Sequence, residues 1–183
     1  MNYIKNKISL SAVICTTFLA SFSLSAVASS YEVNQHDSTE YLEQQFEVLK
    51  ERLYPVEVTL KTDSINILIP ESEGFAVDKH YLTRSVRDRL ASLSQFLRYH
   101  NTSSVSIYGH TDSDGDFDYN KSLSEKRASV VSDFLISMGV SPLRIDLIPE
   151  SFEVPRCDNA TSAGRECNRR VEIEIALNGA ILR

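Results

Sequence analysis

Histidine and cysteine are scarce in this chain of 183 residues, which contains four histidines and three cysteines. The histidines are scattered through the sequence, without the short spacings that place two or more imidazoles on one metal ion. They are His36, His80, His100 and His110. No Ser-His-Asp or Cys-His order is persuasive either, so the pattern does not indicate nucleophilic catalysis. We therefore predict a protein that is not an enzyme and that needs neither a metal nor a cofactor.

Long apolar runs are also absent after residue 28, which excludes a membrane-spanning helix from the remainder of the sequence. The first residues combine Lys5 and Lys7 with an apolar stretch from Ile8 to Leu24, followed by the small residues Ala26-Val27-Ala28. This order is typical of a secretory signal peptide that is removed after about Ala28. The alternative is a membrane anchor, but serine and threonine residues interrupt the stretch and it is shorter than a spanning helix. We expect the mature chain to be soluble and exported.

Positively charged residues are fewer than acidic ones. The sequence has 19 lysines and arginines and 25 aspartates and glutamates, which gives a formal net charge of −6. Residues 1–28 contain Lys5 and Lys7 but no acidic residue, so their removal changes this charge from −6 to −8. An acidic domain of this size repels nucleic acids and anionic lipid surfaces. The sequence therefore predicts no nucleic-acid partner.

Two cysteines, Cys157 and Cys167, remain once a signal peptide containing Cys15 has been removed. An even number of cysteines in an exported chain favours a disulfide, which here would close a short loop and contribute ~2–3 kcal/mol of stability. The alternative is a two-cysteine metal site, although no suitably spaced histidine lies near them.

A polar lead and one short amphipathic helix are predicted for residues 29–54. The helix extends from Asp37 to Leu53, with Asp37 and Glu40 resembling a capping box and Pro55 ending the run. Its apolar stripe consists of Leu42, Phe46, Leu49 and Leu53. Such a stripe packs on its own domain or, alternatively, allows the segment Tyr41–Leu53 to dock on another protein.

Two further helices and a hairpin are predicted in the rest of the chain. Val56 to Pro70 alternates apolar and polar residues around the turn Thr62-Asp63-Ser64, which predicts a β-hairpin. Apolar stripes then predict one helix from a cap at Asp78 through Tyr99, and a second that begins with a Ser122 and Glu125 capping box. Gly139 fits the left-handed position at the end of the second helix.

Three more strands complete the predicted architecture. They lie at Val105 to Ile107, at Leu143 to Ile148 and at Val171 to Ile175. The element order is hairpin-α-β-α-β-β, which predicts an α+β fold with two layers, a sheet with helices packed on one face.

The stretch from Val105 to Arg127 places a carboxylate at the end of a predicted strand and a guanidinium on the following helix. Asp112 can accept an ammonium group, and the fixed fork of Arg127 matches a carboxylate. Together they suit the charged end of a free amino acid, which carries both groups on one carbon. The alternative for Arg127 is an amphipathic side chain whose stem covers the core. This layout favours binding rather than turnover.

The loop within this stretch is acidic and contains three further aspartates, Asp114, Asp116 and Asp118. A twelve-residue calcium loop requires glycine at its sixth position and glutamate at its twelfth. Counted from Asp112, Gly115 is the fourth residue and Leu123 is the twelfth, so the register fails. We predict a solvated acidic loop and no calcium site.

Several motifs resemble the OmpA-like domain, the periplasmic module of outer membrane protein A, peptidoglycan-associated lipoprotein and flagellar-stator proteins. The resemblance is carried by Gly109-His110-Thr111-Asp112, Gly115, Asn120, Leu123-Ser124, Arg127-Ala128 and the closing run from Gly164 to Ile173, which includes Asn168-Arg169-Arg170-Val171. It covers roughly residues 56–177 and implies an OmpA-like domain over residues 55–183, with a mixed β-sheet.

The resemblance also implies a ligand, the diaminopimelate of the peptidoglycan stem peptide. Asp112 matches the family's aspartate and Arg127 its arginine, which hold the amine and the carboxylate at the side-chain end of that residue. Other positions match residues that line or support the family's pocket, namely Thr111, Asn120, Leu123, Arg169, Phe75 and Asp78. Cys157 and Cys167 resemble a short disulfide loop of some members. The implied function is non-catalytic anchoring to the cell wall in the periplasm, with an envelope partner as the link to the outer membrane.

Two segments depart from the family pattern, and both border the pocket region. Glu150 to Glu153 stand where many members have a glycine pair, and Phe75-Ala76-Val77-Asp78 is a reduced form of a phenylalanine-aspartate repeat. A degenerate domain with a different ligand is therefore one alternative. Another is a structural subunit of an envelope machine, such as a flagellar motor ring or secretion system, that uses the domain as its wall anchor.

Overall fold

The computed structural model describes residues 39–75 and 81–176. The predicted signal peptide, the polar lead before residue 39, and Ala76, Val77 and Asp78 lie outside the described residues. From Tyr41 onward the described residues belong to one compact unit, Tyr41–Arg183. None of the helices in the described ranges combines the length and the apolar character needed to cross a bilayer.

Five strands and several helices make up this part of the chain. In chain order they are helix α1 (39–53), β1 (Glu57–Leu60), β2 (Ser64–Pro70), α2 (Glu71–Gly74), α3 (Arg84–Tyr99), β3 (Ser104–His110), α4 (Phe117–Ser137), a 3-10 helix (Pro142–Arg144), β4 (Ile145–Ser151), α5 (Ser162–Asn168) and β5 (Arg170–Ala176).

The strands form one mixed sheet in the order β1-β2-β5-β3-β4. β1 pairs with β2, β2 with β5 and β5 with β3 in antiparallel fashion, whereas β3 and β4 are parallel. The parallel pair is possible because α4 carries the chain back across the sheet between β3 and β4. The predicted α+β class and mixed sheet are confirmed. The last strand, β5, lies in the middle of the sheet and contributes its first residues to the site described below.

The core lies between one face of the sheet and helices α1, α3 and α4. Alternate strand residues such as Ile67, Ile107 and Ile173 are almost fully buried, as expected for the covered face of a half-exposed sheet. The helices contribute the same kind of side chain, including Leu93 of α3 and Val131 of α4.

Helix α1 uses its apolar stripe inside the domain. Leu42, Leu49 and Leu53 are at most 6% exposed and belong to the core, and Phe46 packs against it. The prediction that Tyr41–Leu53 docks on a partner is therefore wrong for this stripe, because its apolar side chains are already buried within the same domain.

The starts of two helices differ from the predictions. Helix α3 begins at Arg84, not near Asp78, because the Thr83 hydroxyl caps it by accepting a hydrogen bond from the Val86 amide. Helix α4 begins at Phe117 with Asp116 as its cap, so the predicted Ser122 and Glu125 capping box lies inside the helix. Each helix is thus capped by a residue that the sequence pattern places in another position: Thr83 inside the helix predicted from Asp78, and Asp116 in the acidic loop.

Short elements account for the remaining differences. Helices α2 and α5 have four and seven residues and have no counterpart among the predicted elements, since so few residues show no helical periodicity. Strand β4 begins two residues later than predicted, after the 3-10 helix, and extends to Ser151. Gly139 has a φ of 91°, the left-handed conformation expected of it.

Candidate functional site

A close approach between β3 and α4 sets the position of the predicted site. A side chain at Gly109 would place its Cβ 2.1 Å from the carbonyl oxygen of Ser124, so only glycine allows this contact. Immediately after Gly109 and the buried His110, the chain leaves the sheet through Thr111 and Asp112. The carboxylate of Asp112 therefore emerges beside the first turns of α4.

Asp112 is only 9% exposed and uses both carboxylate oxygens within the protein. Oδ1 accepts a hydrogen bond from the Asp114 amide at 3.1 Å, which folds the start of the acidic loop. Oδ2 accepts one from Arg169 Nη1 at 2.7 Å, a charge-assisted contact to the residue just before β5.

Arg127 is buried on the side of α4 that faces the protein and is 6% exposed. Its Nη2 donates to Oε1 of Glu71, and its Cζ lies 5.9 Å from the centre of the Phe75 ring. Its Nη1 is buried without a hydrogen-bond partner within the described ranges. Burial, and secondarily the charge of Arg169, lowers the pKa of Arg127 to about 10, so the guanidinium stays protonated at neutral pH.

Arg169 joins these two residues into one cluster. Its Nε lies 2.5 Å from Oε2 of Glu71 while its Nη1 contacts Asp112. The result is a chain of alternating charges, Asp112–Arg169–Glu71–Arg127, which we call the ion-pair cluster. Its four formal charges cancel, so the buried groups are compensated without any ligand.

The structure thus brings Asp112 and Arg127 into one cluster, although the contacts that join them run through Arg169 and Glu71. Glu71 was not predicted, and its carboxylate takes the place at Arg127 that we expected a ligand carboxylate to fill. It lies 56 residues before Arg127 and gives no local signal in the sequence. It reaches the site because β2 pairs with β5, and its amide donates to the carbonyl of Arg169.

The other predicted pocket residues surround the cluster in different ways. Phe75 is buried against the Arg127 guanidinium. Asn120 donates to the Asp114 carbonyl at 2.8 Å and thereby braces the acidic loop. Thr111 is buried next to Asp112, and Leu123 is half-buried on α4 one turn before Arg127. Asp78 lies outside the described residues, so the structure does not place it.

The disulfide Cys157–Cys167 is present, as predicted, and supports the segment that leads to Arg169. Next to it, the buried Asn168 side chain accepts hydrogen bonds from the amides of Arg156 and Cys157, at 2.8 and 2.9 Å. Its Nδ2 donates back to the Cys157 carbonyl. These contacts fix the backbone immediately before Arg169, which links the disulfide loop to the site.

A second polar network lies beside the cluster and contains His110, Arg170 and Glu172. His110 Nε2 is 3.9 Å from Glu172 Oε1, and Arg170 Nε donates to the same oxygen at 2.6 Å. Burial, and secondarily the charge of Arg170, lowers the pKa of His110 to about 4. Burial opposes the ionisation of Glu172, but the hydrogen bond and charge of Arg170 prevail and lower its pKa. At neutral pH His110 is therefore neutral and acts structurally.

The acidic loop has no arrangement that suggests a metal site. Asp114 is exposed and lies 3.2 Å from Arg165 Nε, while Asp116 caps α4. Within residues 39–75 and 81–176, no group of three or more histidine, cysteine or acidic side chains is placed to hold a metal ion.

Comparison with known proteins gives the domain its family. Outer membrane porin F of Pseudomonas fluorescens is 38% identical over 101 residues, which are 55% of this chain and 31% of the porin. Peptidoglycan-associated lipoprotein of Legionella pneumophila is 34% identical over 98 residues, which are 54% of this chain and 56% of the lipoprotein. The chain thus matches about a third to just over half of the length of these two relatives.

A solved structure supports the same assignment. The cell wall anchor of the T6SS from Pseudomonas aeruginosa is 27% identical, has a TM-score of 0.62, and matches over 72% of this chain and 94% of the anchor. Residues 74–169, more than half of the sequence, match the OmpA family and include Phe75, Asp112, Arg127 and Arg169. The chain therefore belongs to the OmpA family.

Proposed function

We propose that this domain binds peptidoglycan by gripping the diaminopimelate residue of the stem peptide, and that it does so without catalysis. The observation that carries the proposal is the ion-pair cluster, which holds two guanidinium groups and two carboxylates at the ends of β2, β3 and β5. A ligand that fits such a cluster carries an amine and a carboxylate close together. The side-chain end of diaminopimelate does, because its amine and carboxylate share one carbon.

In this proposal, each charge of the ligand has a partner in the cluster. Asp112 accepts the ammonium group, because it is the carboxylate just beyond the end of β3 and its Oδ2 already binds a cationic group, the Arg169 guanidinium. Arg127 and Arg169 receive the carboxylate, since both present guanidinium groups to a single carboxylate, that of Glu71, in the structure. Charge-assisted hydrogen bonds of this kind contribute about 1.5–3 kcal/mol each.

Binding, and not cleavage, fits the chemistry of these residues. Guanidinium groups cannot act as bases at neutral pH, and both carboxylates are held in ion pairs. A catalytic base must be free to take a proton from the substrate. Neutral His110 is buried beside the cluster and is 4% exposed, so a substrate cannot reach it without rearrangement.

The names of the similar proteins agree with this proposal. One relative is a peptidoglycan-associated lipoprotein, and the structural neighbour at 27% identity is a cell wall anchor. We further propose that residues 1–28 direct the chain to the periplasm, where the domain tethers an envelope component to the wall, and that any link to the outer membrane is made by a partner.

Sedimentation with purified sacculi tests the wall-binding proposal. The wild type should sediment with sacculi, whereas Asp112→Ala and Arg127→Ala should each bind roughly tenfold or more weakly. Asp118→Ala and Lys126→Ala are matched controls, because both residues are exposed on α4 and lie outside the cluster. Equal sedimentation of all five proteins, with folding verified by circular dichroism, would refute the site.

A second candidate is a structural subunit of an envelope machine, in which wall binding is the tether. The likeness to the T6SS anchor favours this candidate. Since the apolar stripe of α1 is buried, docking would use its exposed side, which includes Val48. An envelope protein that co-purifies equally with wild type and Asp112→Ala, but not with Val48→Asp, would support it. Purification without any envelope partner would count against it.

A further inference from the structure

Glu71 occupies the part of the ion-pair cluster that the proposed function reserves for the ligand. Its two carboxylate oxygens are divided between two guanidinium groups: Oε1 accepts from Arg127, and Oε2 lies 2.5 Å from Arg169 Nε. This is how a ligand carboxylate would be held between two arginines. Glu71 therefore holds the two arginines in the way that the proposed function expects of the ligand carboxylate.

The exposure of the side chains indicates where a ligand would enter. The Arg127 side chain is only 8% exposed, whereas that of Glu71 is 28% exposed. Solvent thus reaches this ion pair from the Glu71 side. A carboxylate that approaches Arg127 Nη2 from this side meets Glu71 first and has to take its place.

The location of Glu71 is compatible with such a displacement. It is the first residue of α2, a helix of only four residues that has no side-chain cap at its start. So short a helix has little intrinsic stability, and its partly exposed carboxylate can be solvated by water when it leaves the arginines. Arg127 and Arg169 are on better supported segments. Arg127 lies on the long helix α4, and Arg169 lies between β5 and helix α5, which the disulfide holds through Cys167.

We propose that Glu71 is an internal competitor, which holds Arg127 and Arg169 until the carboxylate of diaminopimelate displaces it. The proposal rests on the proposed function and adds a residue that sets affinity and selectivity. In the free protein, Glu71 neutralises two neighbouring guanidinium groups that would otherwise repel each other. In the complex, the ligand carboxylate takes over this role, and only a ligand that carries a carboxylate can do so.

A different role for Glu71 makes the opposite prediction. If its carboxylate helped Asp112 to bind the ligand ammonium, removing it would weaken binding. If it competes with the ligand, removing it strengthens binding. The sign of the change in affinity therefore separates the two roles.

Calorimetric titration with free meso-diaminopimelate provides the test. Glu71→Gln should bind about tenfold more tightly than the wild type, because the amide is a weaker partner for the arginines than the carboxylate. Glu73→Gln is the matched control, since Glu73 is exposed on the same short helix and the change removes the same charge. Titration with Nα-acetyl-lysine amide, whose α groups are blocked so that only the side-chain amine is charged, should show no gain for Glu71→Gln.

Stability supplies a second readout and guards against a variant that fails to fold. Glu71→Gln should unfold at a lower temperature than the wild type without ligand and show a larger upward shift with meso-diaminopimelate. Glu71→Asp retains the charge but is shorter and cannot reach both arginines as well. Should Glu71→Gln not fold, Glu71→Asp should bind severalfold more tightly than the wild type, and equal or weaker binding by it would overturn the proposal.

The outcomes distinguish this proposal from the one on which it rests. Wild-type binding with no gain for the Glu71 variants would overturn the role of Glu71 and leave the proposed function standing. Binding by a Glu71 variant but not by the wild type would support the competitor role in its strongest form. Absence of binding by every variant would overturn both proposals.

Discussion

Arg169 Nη1 donates a 2.7 Å hydrogen bond to Asp112 Oδ2. This bond joins the residue just before β5 to the second residue after β3. Because β3 and β5 are adjacent antiparallel strands, the start of one and the end of the other meet at the same edge of the sheet. Arg169 is therefore the residue through which the sheet topology connects the acidic loop to Glu71 and Arg127.

Replacing Arg169 should damage both stability and binding. Arg169→Met removes the ion pairs with Asp112 and Glu71 and leaves the mostly buried Asp112 without its guanidinium. Since the Arg169 side chain is about a third exposed, we expect a loss of only about 1–2 kcal/mol in the free energy of unfolding, measured with urea. Arg87→Met on the exposed face of α3 is the control and should change this value little. Unchanged stability and sacculus binding in Arg169→Met would contradict its connecting role.

Gly109 should tolerate no side chain, because α4 crosses β3 at this residue. The methyl group of Gly109→Ala would lie 2.1 Å from the Ser124 carbonyl oxygen and would force the helix and strand apart. We expect a loss of about 2–3 kcal/mol in unfolding free energy by urea denaturation. Ser106→Ala on the same strand is the matched control. A Gly109→Ala protein as stable as the control would mean that α4 does not approach β3 this closely.

The buried His110 should make the domain less stable in mild acid. Its pKa in the folded protein is about 4, below the ordinary value of 6.5, so the unfolded chain takes up the proton first as the pH falls. The full stability is present above about pH 6.5 and declines as the pH approaches 4, by an amount on the order of 3 kcal/mol. Burial and then the charge of Arg170 oppose the protonation of His110, whereas the charge of Glu172 favours it.

Urea unfolding between pH 7 and pH 4 measures this effect. His110→Asn lacks a titrating group at this position, so its stability should fall less steeply over the same interval, whatever its stability at pH 7. Parallel profiles for the variant and the wild type would show that another group causes the acid sensitivity.

The extent to which the sequence predicted the fold depended on the length of each element. Helices α1, α3 and α4 and all five strands were predicted, because their apolar residues repeat with a clear period. Helices α3 and α4 begin at residues other than those predicted, because Thr83 caps α3 and Asp116 caps α4. Helix α2, with four residues, shows no period at all.

The site was predicted only where its residues belong to recognisable motifs. Asp112, Arg127 and Arg169 lie in such motifs, and the structure places all three in the ion-pair cluster. Their role in binding remains a prediction. Glu71 was missed because its place depends on the pairing of β2 with β5, a long-range relationship that no local pattern of residues reveals.

The central claim is that the ion-pair cluster recognises the amine and the carboxylate at the end of diaminopimelate. Elution of sacculus-bound protein by free ligands tests it most directly. We predict that meso-diaminopimelate releases the wild-type protein from sacculi in a concentration-dependent manner, and that Nα-acetyl-lysine amide, which carries a side-chain amine but no carboxylate, does not at the same concentrations. Equal release by both ligands, or retention of the protein at saturating meso-diaminopimelate, would contradict the claim.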